Sequence, residues 1–163
     1  MEPTLQIDER VAADRQPDDC GDVDGFEPGD IVIRRRGEQR WISRIVAGPE
    51  QTVEMRSGLL MIDGRPVSRS SDGRTVLAGR DGEIFTETLP NGRAYQTFQH
   101  DGVASVDDMQ GLALGTSQWF LMGDNRRNAV DSRIDGPIGS VDLCGLVTHL
   151  YLSQDPTRVR ALR

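Results

Sequence analysis

The 163-residue chain carries 19 basic and 26 acidic residues, for a formal net charge of −7. That balance excludes a protein that tracks nucleic-acid phosphates, which needs a basic face. An apolar fraction of 36%, with 18 glycines and 8 prolines, suits one turn-rich β domain rather than long helices. No run of 18 apolar residues occurs and no basic start leads into an apolar core, so neither a spanning helix nor a secretory leader is expected within these residues.

Residues 1–15 read as a short strand with Leu5, Ile7 and Val11 as apolar positions. Residues 16–28 form an acidic loop rich in turn formers; it lacks the glycine and terminal glutamate spacing of a calcium-binding EF-hand. Ile31, Ile33, Trp41, Ile45 and Val46 mark two strands joined by a turn that carries Arg34, Arg35 and Arg36, expected as a solvated strand end. Ser57-Gly58 and Asp63-Gly64 are hairpin signals between residues 53–56, 60–62 and Val67. Residues 68–82 are polar and glycine-rich and read as loop. Residues 84–98 read as a hairpin around Pro90-Asn91-Gly92. Residues 106–114 are a connector without clear periodicity, residues 119–122 a buried strand and residues 143–152 a last strand.

Two cysteines are too far apart for a local zinc motif, and no cofactor or metal site is expected. Cys144 lies in an apolar strand and is expected as a buried free thiol rather than as a disulfide partner of Cys20.

The densest chemistry lies in residues 123–133, which hold Asp124, Asp131, three arginines and two asparagines directly after an apolar run. Polar groups packed so closely beside a buried strand must satisfy one another or line a site. This stretch, Gly-Asp-Asn-Arg-Arg-Asn-Ala-Val-Asp-Ser-Arg, resembles the last signature box of bacterial signal peptidase I, the serine–lysine endopeptidase that removes signal peptides from exported proteins. Five further segments follow the family's order: Met1-Glu2-Pro3-Thr4-Leu5, Gly29-Asp30-Ile31-Val32, Ile42-Ser43-Arg44 through Gly48-Pro49, the hairpin ending in Asp63-Gly64-Arg65-Pro66-Val67, and Glu87-Thr88-Leu89-Pro90-Asn91-Gly92 with Tyr95.

The resemblance implies a mainly β fold, an antiparallel barrel or sandwich core over residues 1–67 and 111–155, with a smaller inserted β-lobe over 68–110 and a tail at 156–163. It implies a nucleophile position just ahead of residue 1. Family members usually carry a membrane-spanning segment before that position, so either the start of this chain is trimmed or mis-assigned, or a soluble remnant is retained. The base position falls on Ser43, where the family has lysine, and the hydrogen-bond partner of that lysine falls on Ala129, where the family has serine. A serine nucleophile needs an adjacent base, and a lysine serves only when burial lowers its pKa. This chain has no lysine, and arginine does not deprotonate in proteins. His100 and His149 lie outside the base-position strand.

By the same resemblance, Asp131 and Arg133 form a buried ion pair that braces the base strand. Asp124, Asn125, Arg126 and Ser132 support the site, and Gly123 adopts a backbone conformation closed to other residues. An extended peptide would lie between residues 1–5 and 41–46, touching Met1, Pro3, Ile42 and Ile45. The expected function is that of a signal-peptidase-I-like domain impaired in catalysis. Its partner is the signal-peptide region of exported proteins, and its location, if an anchor precedes residue 1, is the extracytoplasmic face of the bacterial inner membrane. A membrane surface is a second partner; nucleic acid is not. The alternatives are a non-catalytic peptide-binding module, or a relative of conjugative-pilus maturation proteases or repressor autoproteases. The last type fits the Gly-Asp-Asn-Arg and Asp-Gly-Arg-Pro-Val segments less well.

Overall fold

The computed structural model describes residues 1–15, 20–21, 25–102 and 104–162. Its elements are almost all strands paired antiparallel. They are β1 (Arg10–Ala13), β2 (Ile31–Arg36), β3 (Gln39–Ala47), β4 (Thr52–Arg56), β5 (Leu59–Ile62), β6 (Arg65–Pro66), β7 (Ser68–Leu77), β8 (Arg80–Thr88), β9 (Ala94–His100), β10 (Met109–Ala113), β11 (Gln118–Met122), β12 (Ile138–Gly139), β13 (Leu143–Leu152) and β14 (Arg160–Ala161), with one four-residue helix, α1 (Ser132–Asp135). No helix among the described residues is long and apolar enough to cross a membrane.

The largest sheet runs β1-β13-β2-β3-β11-β12, with β14 also on β13. Its central strands are buried on both faces. Val32, Ile45, Leu121 and Leu143 pack with Phe26 on one side, and Ile31, Ile33, Cys144 and Val147 pack with Leu5 on the other. A four-stranded sheet, β10-β4-β5-β6, joins the main sheet through a third cluster that includes Val53, Leu60, Ile62, Phe120 and Met122. The hairpin turns follow local chemistry. Ser57-Gly58 and Asp63-Gly64 both place two successive residues at positive φ, the twist that matches tight hairpins.

Several expectations are corrected. Residues 1–9 contain no strand; they form turns, and Ile7 is 77% exposed. The region read as loop is β7, a ten-residue strand fully paired to β8 with a bulge between Ser71 and Gly73. It has no apolar alternation because nearly all its side chains are exposed; backbone pairing alone holds it. With β8 and β9 it forms a three-stranded sheet over residues 68–100. β10, in the connector, pairs with β4 instead. Arg34 is not solvated but 1% exposed. It donates to the Val130 carbonyl at 3.0 Å and to Asp135 at 3.1 Å. Cys20 and Cys144 are joined in a disulfide. The arginine tail is ordered against β13 through β14, and Arg158 reaches Glu9 at 2.6 Å.

Candidate functional site

Strand β3 organises the site. It pairs with β2 along its length, but on its other edge β11 runs beside it only from Phe120, opposite Ala47, to Met122, opposite Arg44. At Gly123 the chain turns away. Among the described residues no strand pairs with the edge of β3 beyond that point, at Trp41, Ile42 and Ser43.

The departure is set by packing at Gly123. A Cβ built there would lie 2.4 Å from the Ala129 methyl. Gly123 is not among the glycines at positive φ, so close approach of residue 129 explains it, and the expected special backbone conformation does not. The Gly123 N–H donates to Asp131 at 3.0 Å. Asp131 also caps α1 and takes two bonds from the Arg133 guanidinium, at 2.8 and 2.7 Å, both side chains being 1% exposed. Arg133 then donates to the Arg126 carbonyl at 2.6 Å, and Ser132 Oγ accepts from the Leu121 N–H at 3.0 Å. The Asp131–Arg133 pair therefore closes the loop on itself and on β11, and among the described residues it makes no hydrogen bond to β3.

The tie to β3 comes from Arg44, which carried no role in the sequence reading. Its guanidinium meets Asp124 side-on at 2.9 and 2.8 Å, donates to the Gly29 carbonyl at 2.7 Å and stacks 4.3 Å from the centre of the Tyr95 ring. Thr4 Oγ donates to Asp124, which fastens the first segment to the same cluster. Arg126 does not meet Asp124. It reaches Glu87 on β8 at 2.8 and 2.5 Å and the Tyr95 hydroxyl at 3.1 Å. Burial pushes the Tyr95 phenol up, and the Glu87 carboxylate holds Arg126 firmly protonated against its own burial. The backbone joins in. Phe98 of β9 donates to the Asp124 carbonyl at 2.9 Å, and Arg126 donates to that of Phe98 at 2.8 Å. Asn125 is 3% exposed and its amide donates to Glu2 at 3.1 Å. The sequence signal for Arg44 and Glu87 was present: each is a charge inside an otherwise strand-like segment, which burial obliges to be paired.

Ser43, 3% exposed, and Ala129 do come together. They share a cavity of about 260 Å³ with Met1, Trp41, Ile42, Gly123, Asn128 and Val130, none of which has a titratable side chain. A second cavity of about 430 Å³ shares Met1, Ile42 and Asn128 with the first and extends under Leu5, Ile7 and Val11. Of the four residues expected to contact peptide, Met1 and Ile42 therefore line both cavities. Pro3 lies elsewhere, in a polar cleft with Arg44 and Arg158. Ile45 is 0% exposed and belongs to the core with Leu121, because it lies in the part of β3 that β11 covers. His100 lies against the Arg127 and Asp101 carbonyls, and His149 sits exposed on β13; neither lines the cavity at Ser43.

Known proteins are similar to this chain along most of its length. The family model described as "Signal peptidase, peptidase S26" matches residues 1–152. Signal peptidase I of Bacillus amyloliquefaciens is 30% identical over 133 residues, covering 82% of this chain and 60% of that protein. Signal peptidase I of Rickettsia bellii (strain OSU 85-389) is 32% identical over 119 residues, covering 67% and 41%. The chain thus spans less than two thirds of the length of each of these relatives. A crystal structure of a signal peptidase I from Enterococcus faecalis V583 is similar over 77% of this chain and 99% of that one, at 21% identity and a TM-score of 0.48.

Proposed function

Because the chain belongs to the signal peptidase, peptidase S26, family, we propose that it is a signal-peptidase-I-like domain that keeps recognition of extended peptides and lacks serine–lysine hydrolysis. The free edge of β3 carries this reading. Its unpaired backbone at residues 41–43, flanked by two cavities, suits an added strand, in which main-chain bonds supply affinity and side-chain pockets supply selectivity. Loss of hydrolysis rests on Ser43. A hydroxyl stands where the family base would be, the chain offers no lysine, and the cavity walls offer no titratable side chain in its stead. Ala129 presents a methyl where a hydrogen-bond partner for an amine would be needed. The scaffold of Asp124, Arg126, Asp131, Ser132 and Arg133 does not require that chemistry, since each of its charges is paired within the fold.

The substrate class is the signal-peptide region of exported proteins, and the location is the extracytoplasmic face of the bacterial inner membrane. The Cys20–Cys144 disulfide supports that location, because such bonds persist where thiols are not kept reduced. The test pairs binding with cleavage. A fluorescein-labelled peptide carrying an Ala-x-Ala segment should bind the purified domain, while a pre-protein in detergent stays intact. Cleavage after Ala-x-Ala that persists in Ser43→Ala would show another base at work, and absence of peptide binding would remove the recognition half of the proposal.

A further inference from the structure

The two cavities differ in charge as well as size. The smaller, at Ser43, has no ionisable side chain in its wall. The larger is an open sleeve with an apolar side formed by Leu5, Val11 and Ile42 and polar walls that include Gln6 and Asn128; it includes two carboxylates, Glu2 and Glu9, and no cationic side chain. Glu9 is already matched: Arg158 donates to it at 2.6 Å, and that hydrogen bond holds its carboxyl down to about 2. Glu2 is not. It accepts from the Asn125 amide at 3.1 Å and forms no ion pair among the described residues.

We infer that the larger cavity takes an arginine or lysine side chain of the bound extended segment, so that this domain selects peptides with a basic residue beside the position held at Ser43. The inference rests on the peptide recognition proposed above. A long basic side chain lays its methylenes along apolar walls and carries its charge to the end, which matches a sleeve with a carboxylate in its wall. The charged hydrogen bond to Glu2 would be stronger than a neutral one. An alanine would leave most of the cavity to water, and a glutamate would bring a second carboxylate to Glu2.

The experiment is a positional scan. Fluorescein-labelled alanine-rich nonapeptides carry one arginine, one glutamate or no charge at each position in turn, and fluorescence anisotropy reads their affinity for the whole chain at low salt. At one position arginine should bind about threefold or more tighter than alanine and glutamate weaker, and the difference should shrink in high salt. Glu2→Gln, which keeps an acceptor for Asn125, should bring the arginine and alanine peptides level. The exposed Ile7→Lys, in the same wall, should abolish the arginine preference and so guards against a misfolded Glu2 variant. Equal affinity for arginine and alanine at every position, or a preference that survives both substitutions, overturns the inference and leaves peptide recognition standing. If no peptide binds at all, both fall.

Discussion

A single glycine decides where the free edge of β3 begins. Gly123 ends the pairing of β11 because residue 129 folds back against its α-carbon, with no room for a methyl between them. Gly123→Ala therefore forces either the loop or β11 to shift. Overpacking of this kind costs about 1–3 kcal/mol, and a urea denaturation midpoint lowered by that amount is expected. A stable Gly123→Ala protein with unchanged peptide binding would show that the loop has slack at Ala129. Sequence resemblance pointed to this glycine but supplied the wrong cause, since a close approach between residues six apart in a loop leaves no mark in local composition.

At the scale of elements, two buried ion pairs hold two sheets around the loop. Arg44 on β3 grips Asp124, and Arg126 grips Glu87 on β8, with the Tyr95 ring of β9 near both guanidinium groups. Removing one partner of such a pair strands a charge in the interior, at about 3–5 kcal/mol. Arg44→Met should lose that much stability in equilibrium denaturation. Arg35→Met, which breaks a 2.8 Å pair with Asp142 at the surface, should leave the midpoint near wild type. Equal effects of the two substitutions would contradict the anchoring role of Arg44. β7 teaches the complementary lesson. Its polar, exposed sequence reads as loop, yet it pairs along its whole length, because the strand is specified by its neighbour β8 and not by a buried face of its own.

Across the whole molecule, the Cys20–Cys144 disulfide joins residues 124 apart and ties the segment before β2 to β13. A crosslink over so long a loop removes much freedom from the unfolded chain; native bonds of this kind are worth about 2–5 kcal/mol. Reduction, or a Cys20→Ala and Cys144→Ala double variant, should lower the thermal midpoint accordingly, while the core around Ile31 and Val147 still permits folding. A midpoint unmoved by reduction would mean that the bond forms without contributing to stability. Cys144 was legible as buried, which it is, and its partner was not.

What the residues determined by themselves was local. Turn chemistry at Ser57-Gly58, Asp63-Gly64 and Pro90-Asn91-Gly92 set the hairpins, apolar runs marked β2, β3, β11 and β13, and the motif order marked the family. These signals act over a few neighbouring residues, where φ/ψ preference and alternation of side chains suffice. Tertiary structure alone decided which partner each buried charge would find, Arg44 with Asp124 80 residues away and Arg126 with Glu87 39 away, and that Met1 and Ile42 line the two cavities beside β3 while Pro3 and Ile45 lie away from them. The reason is physical. A buried guanidinium must meet a carboxylate somewhere, but sequence states only the obligation, and the closure of the sheets determines which carboxylate comes within reach.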